Sequence, residues 1–165
     1  MPLRPLTEKD LMPMLAWRND PFVRKGMCNA REIDEKEHRA WFGRIQDDLM
    51  ARWFMHENAA GSPDGVVYFT KCVPGRSAFW GFYLDPAAPR GSGLLLGADG
   101  LKLAFETLAL HKLNAEVLAG NERSLRFHER LGFRREGVFI EHHFEGITYV
   151  DVVRFGLLAR EWNHA

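Results

Sequence analysis

Asn121, Ser124 and His128 follow one another at intervals of three and four residues, the spacing that lines polar side chains along one stripe of a helix. Something polar should face that stripe. The same residues also fit a capping Asn followed by a solvated Ser and His, and spacing alone leaves both readings open. A second place for chemistry is Gly91-Ser92-Gly93, between a strand and a helix start. There, backbone amides and the helix dipole can converge on a phosphate, and missing side chains allow close approach. A tight turn without a ligand fits the loop equally well. It is neither a Walker loop nor the three-glycine dinucleotide fingerprint. Cys28 and Cys72 stand in no metal-ligand spacing, so neither a disulfide scaffold nor a zinc site is expected.

The surrounding pattern sets out the elements that must position these residues. A short extended segment at 3–6 leads to Thr7, a candidate cap for a helix over 8–19 with Leu11, Met14, Leu15 and Trp17 at helical spacing. Pro21 limits its continuation. Asp34 and Glu37 read as a capping box for a helix over 34–48 that carries Trp41, Phe42 and Ile45 on one face. Short apolar runs at 53–55, 66–69 and 79–84, separated by Gly- and Pro-containing turns, predict an antiparallel meander. After the glycine loop, Leu94, Ala98, Leu101, Phe105 and Leu108 step by four and three residues and predict the longest helix. A strand at 112–118, a helix at 122–131 capped by Asn121 and stopped by Gly132, and strands at 133–143 and 147–157 complete the chain. The order β-α-α-β-β-β-α-β-α-β-β, without repeat or linker, reads as one domain over 1–165. Its central strand-helix-strand unit should be a parallel crossover if the two strands are neighbours.

Composition excludes several classes. The 22 Lys plus Arg balance 22 Asp plus Glu, which removes the basic footprint of a dedicated nucleic-acid binder. Apolar residues at 46% and charged residues at 27% are those of a folded globular chain, not a disordered one. No run has the length of a signal peptide or a membrane span, so no membrane partner and a cytoplasmic location are expected.

Taken together, strand 79–84, Gly91-Ser92-Gly93-Leu94-Leu95, Asn114-Ala115-Glu116-Val117, Asn121-x-x-Ser124 and His128-x-x-x-Gly132-Phe133 resemble the GCN5-related N-acetyltransferase (GNAT) family over nearly the whole chain. The resemblance implies an α/β (α+β) fold. Its mixed, mostly antiparallel sheet would have about seven strands, flanked by four to five helices, with a splayed parallel pair in the middle. It implies acetyl-CoA as co-substrate and no metal. By the same resemblance, Phe82 and Leu84 would offer backbone groups to the acetyl-pantetheine arm. Arg90, Gly91, Ser92, Gly93, Leu94 and Leu95 would cradle the pyrophosphate, and Asn121 and Ser124 would contact the pantetheine.

Two positions depart from the family pattern. Ala88 stands where a Gln or Arg is usual, leaving the phosphate contact to Arg90 or to amides alone. His128 stands where a tyrosine commonly protonates the departing thiolate; a histidine can donate the same hydrogen bond, although a core or surface histidine fits the position too. Direct transfer in a ternary complex needs no covalent intermediate. The segment from Phe82 through Tyr83 to Leu84 would polarise the thioester, His128 would serve as acid, and Glu116 is the candidate base, acting through water. An outward strand carboxylate with a cross-strand partner is the plainer account of Glu116.

The N-terminal third, Trp17-Arg18-Asn19-Asp20-Pro21-Phe22-Val23-Arg24-Lys25 with Met27 and Glu37-His38-x-x-Trp41, resembles the RimJ/RimL-type branch. It is more similar still to the branch that acetylates UDP-4-amino-4,6-dideoxy-N-acetyl-β-L-altrosamine during pseudaminic acid assembly and flagellin glycosylation. On that resemblance Arg18, Arg24 and Lys25 would meet the nucleotide's pyrophosphate. Met27, Trp41, Trp80 and Tyr83 would pack against uracil or the sugar methyl. Each aromatic also fits an ordinary core, Trp41 best of all. Protein N-terminal acetylation, which needs an open peptide groove, and a catalytically silent acyl-CoA-binding module are the other readings. An exposed C-terminal strand could pair across a two-fold axis to form a homodimer.

Overall fold

The computed structural model describes residues 2–162; Met1 and residues 163–165 of the expected domain lie outside the described residues. In chain order the elements are β1 (Leu3–Pro5), α1 (Leu11–Asn19), α2 (Pro21–Arg24), α3 (Glu35–Asp47), β2 (Arg52–Glu57), β3 (Pro63–Thr70), β4 (Ser77–Leu84), α4 (Ser92–Lys102), β5 (Lys112–Leu118), α5 (Glu122–Arg130), β6 (Arg134–Phe144) and β7 (Tyr149–Leu158). The strands form one seven-stranded sheet in the order β1-β2-β3-β4-β5-β7-β6. Every neighbouring pair is antiparallel except β4 and β5, as a crossover through α4 requires.

Side chains alternate across a sheet, and two cores result. On one face Val67, Ala78, Trp80, Leu113, Ala115, Val117 and Phe155 pack with Leu96 and Leu101 of α4 and Leu125 of α5. On the other, Met55, Val66 and Tyr83 pack with Met14 and Trp17 of α1, with Trp41 of α3 against them.

Several boundaries differ from the sequence expectation for identifiable reasons. The first helix opens as a 3-10 turn over Glu8–Asp10 with Thr7 as its N-cap, as expected, and Asp10 closes a capping box. The Asp10 carboxylate accepts from the amide (2.7 Å) and hydroxyl (3.0 Å) of Thr7. Pro21 does more than end α1: it starts α2, whose first turn is capped when Phe22 N–H donates to Asp20 (2.8 Å). Asp34 caps α3 by accepting from Glu37 N–H (2.7 Å), but the Glu37 carboxylate turns to Arg31 (2.8 Å) instead of closing the box.

The long helix begins earlier, at Ser92, and gives way to a π-helical stretch at Leu103–Thr107. Ala98 is exposed, and the buried face is Ser92, Leu96, Gly97, Gly100 and Leu101. Two glycines make this face. A Cβ on Gly97 would lie 2.8 Å from Phe127, and one on Gly100 would lie 3.1 Å from Trp80, so their absence lets α4 sit close on α5 and the sheet. The last strand is interior, between β5 and β6. The exposed edge is therefore β6, not the C-terminal strand expected to pair across a two-fold axis.

Candidate active site

The parallel pair is joined only at its start, where Ser77, Ala78 and Phe79 stand opposite Lys112, Leu113 and Asn114. Beyond that point β4 stays with β3 as far as Leu84 and β5 stays with β7 as far as Leu118, and a gap opens between them. Backbone direction along β4 can be read from its ends. Ser77 C=O and Asp85 N–H bond on the β3 side (3.0 and 2.9 Å), whereas Ala78 C=O accepts from Asn114 Nδ2 on β5 (3.2 Å). Because the direction alternates in an antiparallel ladder, and the parallel pairing ends with Phe79 opposite Asn114, the N–H and C=O groups of Phe82 and Leu84 face the gap without a strand partner. Such a free edge is what an amide-bearing chain can add to. The backbone groups of Phe82 and Leu84 thus point into the gap, while the Tyr83 backbone belongs to the β3 ladder and only its side chain is available.

At the far end of β4 the chain turns through 85–91. Gly91 adopts φ +97° as the residue before α4, a left-handed conformation that favours glycine. In the first turn of α4, Ser92 N–H donates to Pro89 C=O (3.1 Å) and Leu94 N–H to Gly91 C=O (3.0 Å), which leaves the Gly93 amide to face an anion at the positive end of the helix dipole. Leu95 is 62% exposed, and Arg90 lies at the loop's outer end. A free strand edge followed by a helix N-terminus fits the amide arm and pyrophosphate of a CoA thioester, with Ala88 supplying no charge. On α5, Asn121 accepts from Ser124 N–H (3.1 Å), so its Oδ1 is a helix cap while its amide nitrogen lies against Gly26.

His128 is not at the gap. It is 3% exposed, beneath the sheet, stacked on Phe155. Its Nδ1–H donates to Ser124 C=O (2.8 Å) and its Nε2 accepts from Trp80 Nε1–H (3.1 Å). Both nitrogens are satisfied in one neutral tautomer, and burial holds its pKa below the usual histidine value, opposed by the Ser124 bond. The expected thiolate acid is therefore a core residue. Trp80, expected against the acceptor, is its partner on that same face.

Glu116 lies on the opposite face, since Ala115 and Val117 point into the α4–α5 core. Its Oε1 accepts from Arg154 of β7 (2.5 Å), and its side chain is about a third exposed. The cross-strand partner foreseen as the plainer account does exist, and the carboxylate still reaches solvent. Glu116 and Tyr83 thus share a face on the two sides of the gap.

Over that face lie two adjoining cavities that share Met27 and Asn29. One, of about 230 Å³, is walled by Arg18, Trp41, Trp53, Tyr68 and Tyr83. The other, of about 450 Å³, lies between Lys25, Arg31, Leu118 and the β6–β7 turn at His143 to Glu145. Arg18, Met27, Trp41 and Tyr83 are brought together in the first of these; Arg24 lines neither cavity. Sequence reasoning missed Trp53 and Tyr68, which face each other in a row across β2, β3 and β4: Trp53 opposite Tyr68, and Tyr68 opposite Gly81. Their rings stack at 4.0 Å, and Trp41 meets Trp53 edge-on at 4.7 Å. Tyr68 lies so close on Gly81 that a Cβ there would be 2.2 Å from its hydroxyl. A period-two pairing of aromatics across a glycine was the available signal.

The polar atoms of this wall are mostly donors. Arg18 gives Nη2 to the Asn29 carbonyl, but its Nη1 is buried without a partner, as is Trp53 Nε1. Burial lowers the Arg18 pKa, while the nearby Tyr83 and Tyr68 oppose this. Burial raises the Tyr83 and Tyr68 pKa values, so both remain phenols. Glu37, the carboxylate on this wall, is bound to Arg31. No cluster of three metal-ligating side chains occurs among the described residues, and no helix among them is long and apolar enough to cross a membrane.

Residues 1–134 match the acetyltransferase (GNAT) domain family. The acetyltransferase PseH of Campylobacter jejuni subsp. jejuni serotype O:23/36 (strain 81-176) is 28% identical over 131 residues, 78% of this chain and 79% of that protein. Among solved structures, a spermidine N-acetyltransferase from Vibrio cholerae in complex with CoA and spermine superposes with a TM-score of 0.88 at 25% identity, covering 96% of this chain and 95% of the other.

Proposed function

The chain belongs to the GNAT acetyltransferase family, and we propose that the amine it acetylates is the 4-amino group of a UDP-4-amino-4,6-dideoxy-N-acetyl-altrosamine-type sugar, serving pseudaminic acid synthesis and flagellin glycosylation. Acetyl-CoA is the donor and an amine the acceptor. The observation that carries the choice of amine is the buried Arg18 guanidinium, whose Nη1 has no partner, in a wall where Trp53 is a second unpaired donor. A buried cation without an anion is unfavourable until a ligand supplies acceptors. A nucleotide sugar brings phosphates and carbonyls. A polyamine brings only donors and positive charge, and would meet here a carboxylate already held by Arg31. The match to PseH over 78% of the chain supports the same reading, and the aromatic wall offers flat faces on which a ring can pack.

In this reading the gap-facing amides of Phe82 and Leu84 receive the arm and polarise the thioester carbonyl. Ser92, Gly93, Leu94 and Leu95, with Arg90, hold the pyrophosphate, and Asn121 and Ser124 hold the pantetheine. Glu116 takes the amine proton through water at Oε2, its Oε1 being fixed by Arg154, and the amine attacks directly. Tyr83, a buried phenol on the same face, is the proton-bearing side chain at the gap in place of His128. Lys25 and Arg31, in the adjoining cavity, extend the positive wall along the ligand.

Titration calorimetry with UDP tests the choice of acceptor without needing turnover. UDP should bind the wild-type protein, and Arg18→Gln should weaken it by at least 10-fold. Spermine binding in its place would overturn the reading.

A further inference from the structure

His56 of β2 is 2% exposed and stands between two carboxylates from different elements. Its Nδ1 lies 2.5 Å from Oδ1 of Asp64, in β3, and its Nε2 lies 3.2 Å from Oδ2 of Asp99, on α4. Asp64 is buried, and its other oxygen has no partner, so the carboxylate depends on His56. Two carboxylates gathered on one buried ring are a costly arrangement to keep for packing alone.

The partners sit at the two ends of the same loop. The Asp64 carbonyl accepts from Asp85 N–H (2.9 Å), and Asp85 starts the turn by accepting from Ala87 N–H at its carboxylate (2.8 Å) and from Ala88 N–H at its carbonyl (2.9 Å). Asp99 lies two turns into α4, the helix that the loop enters at Ser92. One imidazole is thus bonded to the strand that fixes the loop's beginning and to the helix that fixes its end.

We infer that His56 is a positioning residue for acetyl-CoA: through Asp64 and Asp99 it clamps the phosphate loop at 85–91 and sets the α4 N-terminus against the free edge of β4. The inference rests on the reading of residues 90–95 as the pyrophosphate site. A long, stiffly held ligand must meet the strand edge and the helix amides together, so freeing α4 misplaces one set relative to the other.

The test cuts the tether at Asp99, which is 29% exposed and can be changed without removing the buried Asp64 partner of His56. CoA binding is measured by calorimetry and the kinetic constants at steady state for Asp99→Ala, Asp99→Asn and, as a control on the loop, Arg90→Ala. Asp99→Ala should raise both the CoA Kd and the KM for acetyl-CoA by about 10-fold, leaving kcat and the acceptor KM unchanged. Asp99→Asn, which keeps an acceptor oxygen, should recover most of the loss. A lowered Tm with an unchanged CoA Kd in Asp99→Ala would overturn the clamp while the loop reading stands, provided Arg90→Ala weakens CoA. Unchanged Kd values in both Asp99→Ala and Arg90→Ala would overturn the clamp and the loop reading together.

Discussion

Trp80 donates its indole N–H to Nε2 of His128 across 3.1 Å, tying the middle of β4 to α5 beneath the sheet. The bond takes up the imidazole lone pair, and Ser124 C=O takes the remaining N–H. A residue that family resemblance marks as an acid is instead the polar centre of an aromatic core, with Phe133 and Phe155 around it.

Its effect on stability has a definite sign. His128 has a folded-state pKa below the ordinary 6.5 because of burial, so near that value the unfolded chain binds a proton that the native state does not. Its contribution is fully present above pH 6.5 and is lost as pH falls through that value toward the folded pKa. His38, buried with Nε2 2.9 Å from the Leu11 carbonyl, is shifted the same way by burial. Thermal melts should lose stability between pH 6.5 and 5, by at most about 1.4 kcal/mol per pH unit for each histidine. His128→Gln, which can accept from Trp80 and donate to Ser124, should flatten that loss. An unchanged slope would place the titration elsewhere.

Glu116→Gln should lower kcat by about 10²-fold while leaving the CoA Kd alone, because the side chain lies on the face of the sheet away from α4 and outside the loop. Equal kcat across the pH range would remove Glu116 as base and leave proton uptake to water.

Trp53→Phe keeps the stack on Tyr68 but deletes a buried donor without a partner. Stability should hold or rise, since an unsatisfied group is removed, while the acceptor KM rises several-fold. A fall in Tm with no change in KM would make Trp53 a packing residue only.

Gly81→Ala drives a methyl into Tyr68, with a Cβ 2.2 Å from its hydroxyl. Tyr68 is ringed by Trp53 and the sheet, so overpacking should cost about 1–3 kcal/mol in a denaturant melt and raise the acceptor KM. The CoA Kd should stay the same, because the residue's backbone faces β3 and not the gap.

Local pattern makes the elements legible wherever one signal dominates. β5 falls at 112–118 as expected, and α5 is capped by Asn121 and stopped at Gly132, which has φ +90°. The buried face of α4 departs from the apolar period because Gly97 and Gly100 share it with Leu96 and Leu101, while Ala98 is exposed. The gap between β4 and β5 follows from the family resemblance, since no single strand encodes where its neighbour diverges. The branch resemblance singles out Arg18, Met27, Trp41 and Tyr83, and they line one cavity. Residue type cannot say which way His128 and Trp80 point, as that depends on the strand face each occupies. His56, Asp64 and Asp99 are separated by eight and thirty-five residues, and only the fold brings them together.

The most direct test is release of free CoA thiol from acetyl-CoA with three acceptors in parallel: the UDP-4-amino-altrosamine sugar, spermidine and a ribosomal N-terminal peptide. Acetylation of the nucleotide sugar predicts rapid release with that acceptor and background rates with the other two. Release with spermidine or the peptide, and none with the sugar, would contradict it.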